Sequence, residues 1–213
     1  TPKPSSAASD VYKRQEQHTQ RDPSNWVCKA KEVGGGQLFS HGCHYIDLML
    51  WMLGKPVKGT HLGTNRCTPW MEREGTSNVC LEFENGALGY HFGTWGARGT
   101  RLGYSFHAHC ENGMIEMQLE KGRVVYLGDA KKHIPGVHDP EQKEIILLEE
   151  KHAKPTEIEM SHFIECIETG QKPLTDPISS FEGLKVIWEL YKAEENNIVA
   201  DLQGLGLGSM NLD

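Results

Sequence analysis

The stretch Asn78–Trp95, NVCLEFENGALGYHFGTW, alternates twice. Val79, Leu81 and Phe83 fall on one face of an extended segment. Asn85-Gly86 is a turn dipeptide of the type I′ kind, and Leu88, Tyr90 and Phe92 alternate on the return. The period is two throughout, which suits a strand and not a helix. Leu102–Leu127, LGYSFHAHCENGMIEMQLEKGRVVYL, repeats the pattern. Tyr104, Phe106, Ala108 and Cys110 alternate, Asn112-Gly113 turns, Ile115, Met117 and Leu119 alternate back, and Lys121-Gly122 turns into Val124–Leu127. KEIILLEE, Lys143–Glu150, reads as one more strand. From Val57 to about Leu148 the expectation is an antiparallel sheet of hairpins with one apolar and one mixed face.

Helical signals flank this region. Upstream lies GGGQLFSHGCHYIDLMLWMLGKP, Gly34–Pro56, with a helix expected from Gln37 to Leu53 and stopped by Gly54 and Pro56. Downstream, Thr156-x-x-Glu159 is a capping-box pattern followed by Met160, Phe163, Ile164 and Ile167 at helical spacing, with Gly170 as the stop. A second such pattern, Ser179-x-x-Glu182, precedes Leu184, Ile187, Leu190 and Tyr191. The tail ADLQGLGLGSMNLD is a weak strand or lies loose. The fold class is therefore α+β: an open, mostly antiparallel sheet with one N-terminal buried helix and two C-terminal helices. Without alternating βα units, these residues do not build a parallel nucleotide-binding sheet.

The chain of 213 residues is long enough for one domain with a core. Its net charge of −7 and the lack of a basic stripe argue against nucleic acid or an anionic membrane as partner. The longest apolar run, Leu48–Leu53, is far too short to span a bilayer. Six scattered cysteines form no CxxC pair and read as free thiols in a reducing compartment. Residues 1–15, TPKPSSAASDVYKRQ, have neither apolar periodicity nor a signal-peptide core, and SSAASDVYKRQ resembles a translated sequencing adaptor. They are expected to be a non-native or disordered segment, followed by a domain over 16–203 and a tail over 204–213.

The candidate chemistry lies in the upstream helix. Three glycines suggest a phosphate loop, but no strand precedes them and the G-x-G-x-x-G spacing is missing. They read instead as room for close backbone approach and a sharp start to the helix. Ser40, His44, Asp47 and Trp51 then recur on one face. The residues alone leave two readings open: a His–Asp hydrogen bond inside the core, or a histidine at a cleft edge acting as general acid/base. His41 and His44, three residues apart with no third ligand, make a poor metal site, and none is expected. His91, His107 and His109 are expected to face solvent or a subunit interface. Arg98 and Arg101 are expected on a solvated loop.

Taken together, W-x7-GGGxLxxxGxHxxD from Trp26 to Asp47, an antiparallel sheet, FIECIETGQKPLTD (Phe163–Asp176) and SSFEGLKVIWELYKAEEN (Ser179–Asn196) resemble the C-terminal domain of the Gfo/Idh/MocA oxidoreductases. The resemblance runs from about Asn25 to Asn197. It implies a cytoplasmic, two-domain parent enzyme whose Rossmann domain, not represented in this chain, binds NAD or NADP. It implies a substrate that is a sugar, cyclitol or related polyol, oxidised at a CH–OH group, and a homo-oligomer formed through the sheet face. By the same resemblance His44 is the catalytic histidine, which takes the hydroxyl proton as hydride leaves for the nicotinamide. Ser40 stands where many members carry an aspartate and joins the catalytic group. Asp47, with His41 beside it, is substrate-binding. Trp26 matches the tryptophan of a cofactor-touching Trp-Arg pair, with Val27 replacing the arginine. Two alternatives stay open: a non-catalytic dimerising or carbohydrate-binding module, and a member that uses NAD to assist glycoside cleavage.

Overall fold

The computed structural model describes residues 22–97, 105–111, 113–118, 121–128, 144–150 and 156–207. Residues 1–15, most of the 204–213 tail, Arg98, Arg101, Tyr104 and Leu119 lie outside the described residues.

Eight strands follow in chain order: β1 (Pro56–Thr64), β2 (Thr76–Phe83), β3 (Leu88–Thr94), β4 (Ser105–Cys110), β5 (Gly113–Gln118), β6 (Arg123–Gly128), β7 (Glu144–Glu149) and the short β8 (Ala200–Asp201). They pair as two four-stranded sheets, β3-β2-β1-β8 and β4-β5-β6-β7. Every ladder among the described residues is antiparallel. The helices are a single turn, α1 (Ala30–Val33), then α2 (Cys43–Leu53), α3 (Thr156–Thr169) and α4 (Pro177–Glu195). The α+β class expected from the hairpin pattern and its flanking helices is the class observed. A 3-10 turn at Trp26–Cys28 and the α1 turn, in a segment with no apolar period, were not expected from sequence.

Four local expectations are corrected. The Asn85-Gly86 turn closes the β2–β3 hairpin, but only Gly86 has positive φ (+79°). A type I′ turn needs both central residues there. The chain instead makes a type I turn, with Gly86 N–H donating to Phe83 O at 2.8 Å, and Gly86 supplies the left-handed residue that follows. In the next hairpin Cys110 pairs with Gly113, so the loop closes one residue earlier than Asn112-Gly113. Helix α4 starts at Pro177, not at a Ser179 cap. Asp176 is the N-cap, accepting from Ile178 N–H (2.8 Å) and Ser179 N–H (2.9 Å), while Ser179 Oγ accepts from Asp176 N–H (3.2 Å). Ser179 is thus the last residue of the capping box, at N3, rather than its first.

The fourth correction concerns which face of β3 is buried. Val79, Leu81 and Phe83 of β2 are buried as expected. Their cross-strand partners on that face are Gly89 and His91, with Leu81 opposite Gly89 and Val79 opposite His91. Leu88 is exposed and Tyr90 and Phe92 are half-buried. The reason is the approach of the upstream helix. A Cβ on Gly89 would lie 2.8 Å from Met49 Sδ, and one on Gly93 would lie 2.2 Å from Gln37 Nε2. The helix sits on glycines, and the alternating aromatics point the other way. His91 is consequently fully buried rather than facing solvent or a subunit interface.

The core is one cluster in which α2 (Ile46, Met49, Leu53), β2 and α4 (Val186, Ile187, Leu190, Tyr191) interdigitate. A smaller cluster, Tyr45 with Phe106, joins α2 to the second sheet. Helix α3 buries only Cys166. Met160, Phe163, Ile164 and Ile167 share its exposed face.

Candidate functional site

The helix that carries the candidate residues begins without a capping side chain of its own. Its first turn is π-helical, Leu38–Gly42, with Gln37 at the N-cap making no side-chain cap bond. The first turn of any helix leaves backbone N–H groups without partners. Here two distant residues take all of them. Gly36 N–H and Phe39 N–H donate to Tyr191 Oη (3.0 and 3.3 Å). Leu38 N–H donates to Glu74 Oε1 (3.0 Å), and Gln37 N–H to the Glu74 carbonyl (2.8 Å). Tyr191 Oη in turn donates to Glu74 Oε1 at 2.7 Å.

Burial, with Glu74 beside it, holds the Tyr191 phenol protonated far above its ordinary range. The Arg73 guanidinium lies over the Tyr191 ring, 4.3 Å from its centroid, and pairs with Glu195.

This explains the glycines. A Cβ on Gly36 would lie 2.3 Å from the Glu74 carbonyl oxygen, and one on Gly35 would lie 2.8 Å from Tyr191 Oη. Gly34 ends α1 in the left-handed region at φ +96°. Close approach and a sharp helix start are what the glycines supply, and the amides at this helix end are bonded within the protein.

Beyond the cap, His44 is exposed and Asp47, one turn on, is partly buried. A His–Asp pair sealed inside the core is therefore not what forms. The His41 ring stands edge-on to His44, with centroids 5.7 Å apart, and 5.9 Å from Tyr45. Tyr45 stacks on His91 at 5.4 Å. Burial, followed by the neighbouring His41 and His61, lowers the His91 pKa to about 3, so that imidazole stays neutral. Ser40 lies in the π-helical turn, its N–H donating to Gly36 O at 3.0 Å. Trp26 is 60% exposed in its own 3-10 turn. The structure thus gathers Ser40 and His41, in the π-helical turn, with His44 and Asp47 of α2 along one continuous helix, and leaves Trp26 on a separate element.

Asp47 opens onto a cavity of about 450 Å³ between α2 and the start of α4, lined among others by Leu48, Trp51, Leu174, Ser179 and Glu182. Helix α4 faces α2 at Gly183, where a Cβ would make an ordinary contact with Asp47 at 3.8 Å. Burial raises the Asp47 pKa, His44 lowers it, and the Glu182 carboxylate raises it again. Sequence reading found the His44–Asp47–Trp51 stripe but missed Glu74, Glu182 and the capping role of Tyr191. Glu182 was visible only as a capping-box glutamate. Glu74 carried no signal, because its partners are 36 and 117 residues away.

The fold recurs in solved structures. Levoglucosan dehydrogenase in complex with NADH and levoglucosan aligns with a TM-score of 0.76 at 14% identity, covering 93% of this chain and 58% of that one. Aldose–aldose oxidoreductase from Caulobacter crescentus, complexed with glycerol, aligns at 0.69 and 18%, covering 92% and 55%. GenD2 from gentamicin A biosynthesis, in complex with NAD, aligns at 0.69 and 18%, covering 94% and 57%. The chain therefore spans little more than half the length of these proteins, and at these identities the likeness is one of fold. No curated protein matches the sequence. The family model of the GFO/IDH/MocA C-terminal domain matches residues 6–116, just over half of the chain, and the chain belongs to that family.

Proposed function

We propose that the chain is the substrate side of a cytoplasmic NAD(P)-dependent oxidoreductase that acts on a CH–OH group of a sugar, cyclitol or related polyol. The observation that carries this reading is an exposed imidazole, His44, one helical turn before Asp47, which itself lines a cavity. Its helix is fixed at the start by Glu74 and Tyr191. In this reading His44 exchanges the proton of the reacting hydroxyl, and Asp47 accepts a hydrogen bond from a neighbouring one. Ser40 and His41 border the reacting end. The fold shared with levoglucosan dehydrogenase and aldose–aldose oxidoreductase supports a sugar-type substrate.

The described residues do not fit a dinucleotide. Their strands are all antiparallel, and the amides at the glycine-rich helix start are already bonded by Glu74 and Tyr191. A nicotinamide cofactor, NAD or NADP, belongs in this reading to a separate nucleotide-binding domain, with exposed Trp26 as the contact from this side. Exposed Leu62 and Leu88, on the sheet face turned away from the helices, support a homo-oligomer formed through that face.

The test is a protein that joins this chain to an NAD(P)-binding domain of the family. There His44→Gln is expected to lower kcat by about 10²- to 10⁴-fold while cofactor affinity stays within a few-fold. An unchanged rate overturns the assignment of His44.

A further inference from the structure

The cavity beside Asp47 is a composite of two helices and the loop between α3 and α4. Leu48, Leu50 and Leu207 give it an apolar lining, and Trp51 stands at it 74% exposed. An indole left in water beside an apolar hollow offers a flat face to the C–H groups of a ring-shaped ligand. At the same cavity, Asp47 from α2 and Glu182 from α4 bring two carboxylates to one space. They are near enough that Glu182 pushes the Asp47 pKa upward. Gly183, next to Glu182, faces the Asp47 backbone across the two helices.

Among the described lining residues Lys55 is the one cation, so the lining carries a net formal charge of −1. Ionised carboxylates only accept hydrogen bonds. A ligand held there must bring donors, and a second negative charge would meet two like charges in a partly desolvated space.

We propose that this cavity holds an uncharged polyhydroxylated ring, its hydroxyls donating to Asp47 and Glu182 and its carbon face against Trp51, and that Glu182 rejects the carboxylated and phosphorylated forms of the same sugars. This deepens the reading of the His44–Asp47 stripe as the substrate side and rests on it. It adds a specificity residue from α4 and a rule for which sugars are refused.

The test uses the 213-residue chain and the indole N–H resonance of Trp51, assigned by its loss in Trp51→Phe. The probes are D-glucose, D-galactose, D-mannose and myo-inositol, then D-glucuronate, D-galacturonate and D-glucose 6-phosphate, and D-glucosamine as the cationic control. At least one neutral probe is expected to shift the Trp51 signal saturably, with its anionic counterpart about tenfold weaker or worse. Glu182→Gln is expected to bring that ratio to within about threefold.

The proposal is overturned if no probe moves the Trp51 signal, if a uronate binds as well as its neutral sugar, or if Glu182→Gln leaves the ratio unchanged. D-glucosamine binding tenfold tighter than D-glucose would make the cavity a cation site and would equally overturn it. Binding is read without turnover. A missing Trp51 response alongside His44-dependent catalysis removes the cavity assignment alone, and the opposite result removes the catalytic one alone.

Discussion

The two sheets are built from the same kind of sequence, short alternating hairpins, yet they end in different environments. The first, β3-β2-β1-β8, is covered on one face by α2 and α4, and Val79, Leu81 and Phe83 are almost completely shielded. The second, β4-β5-β6-β7, is joined to the helices by Tyr45 packing on Phe106. Its last strand, β7, leaves Ile145, Ile146, Leu147 and Leu148 about half exposed on both of its faces. Alternation specifies a strand and its register. It does not specify which sheet obtains a helical cover, because the cover is set by where glycines permit a helix to approach. Gly59 and Gly89, under Leu190 and Met49, mark that place in the first sheet.

The contrast can be broken by mutation. Phe83→Ala should cost about 3–5 kcal/mol, since it empties a filled core position. Ile146→Ala, on the open strand, should cost under about 1 kcal/mol. Equal losses in urea unfolding would mean that the second sheet has a cover the first comparison overlooks.

A finer test addresses the cap that ties α4 to the candidate helix. Tyr191→Phe removes one hydroxyl that serves Gly36, Phe39 and Glu74, and should cost about 1–3 kcal/mol. Amide exchange should rise at Gly36 and Phe39 and change less at Leu38, which keeps its bond to Glu74. Uniform exchange at all three would remove the distinction between the two capping residues.

The smallest expected effect is at Asp47. Its pKa is raised in the folded state above the ordinary 3.8, chiefly by burial. The fold carries no penalty from this group below 3.8, and stability is lost as the pH rises through the raised folded value. Asp47→Asn should therefore raise the Tm at pH 7, by no more than about 3 °C given the solvent screening at this site. The gain should shrink as the pH falls toward 3.8. A loss at pH 7 would show that the carboxylate contributes stability rather than withholding it.

Much of this fold was legible in the chain. The hairpins, the helix from Gln37 to Leu53 and the two C-terminal helices follow from period and breakers alone. The misplacements share a cause. Tyr90 and Phe92 look like core residues because alternation treats glycine as a gap, whereas the helix needed that gap. Asp176 was passed over as a cap because Ser179-x-x-Glu182 fits the same template three residues later. The candidate site divides similarly. His44, Asp47 and Trp51 are readable because one helix spaces them. Glu182 and Glu74 are not, because they act on that helix from other elements, and no local spacing encodes such a meeting.

The capping arrangement also bears on the order in which the molecule acquires its parts. The first turn of the helix bearing His44 is completed by Tyr191, 155 residues after Gly36. On a ribosome, that helix would emerge and wait, its leading amides bonded to water, until the 155 residues from Gly36 to Tyr191 had been made. Closing so long a loop is slow, and it comes late in folding. A nascent or prematurely ended chain can carry His44 without holding it still. Arrival of the last long helix is then the event that turns a histidine on a fraying turn into one with a fixed bearing.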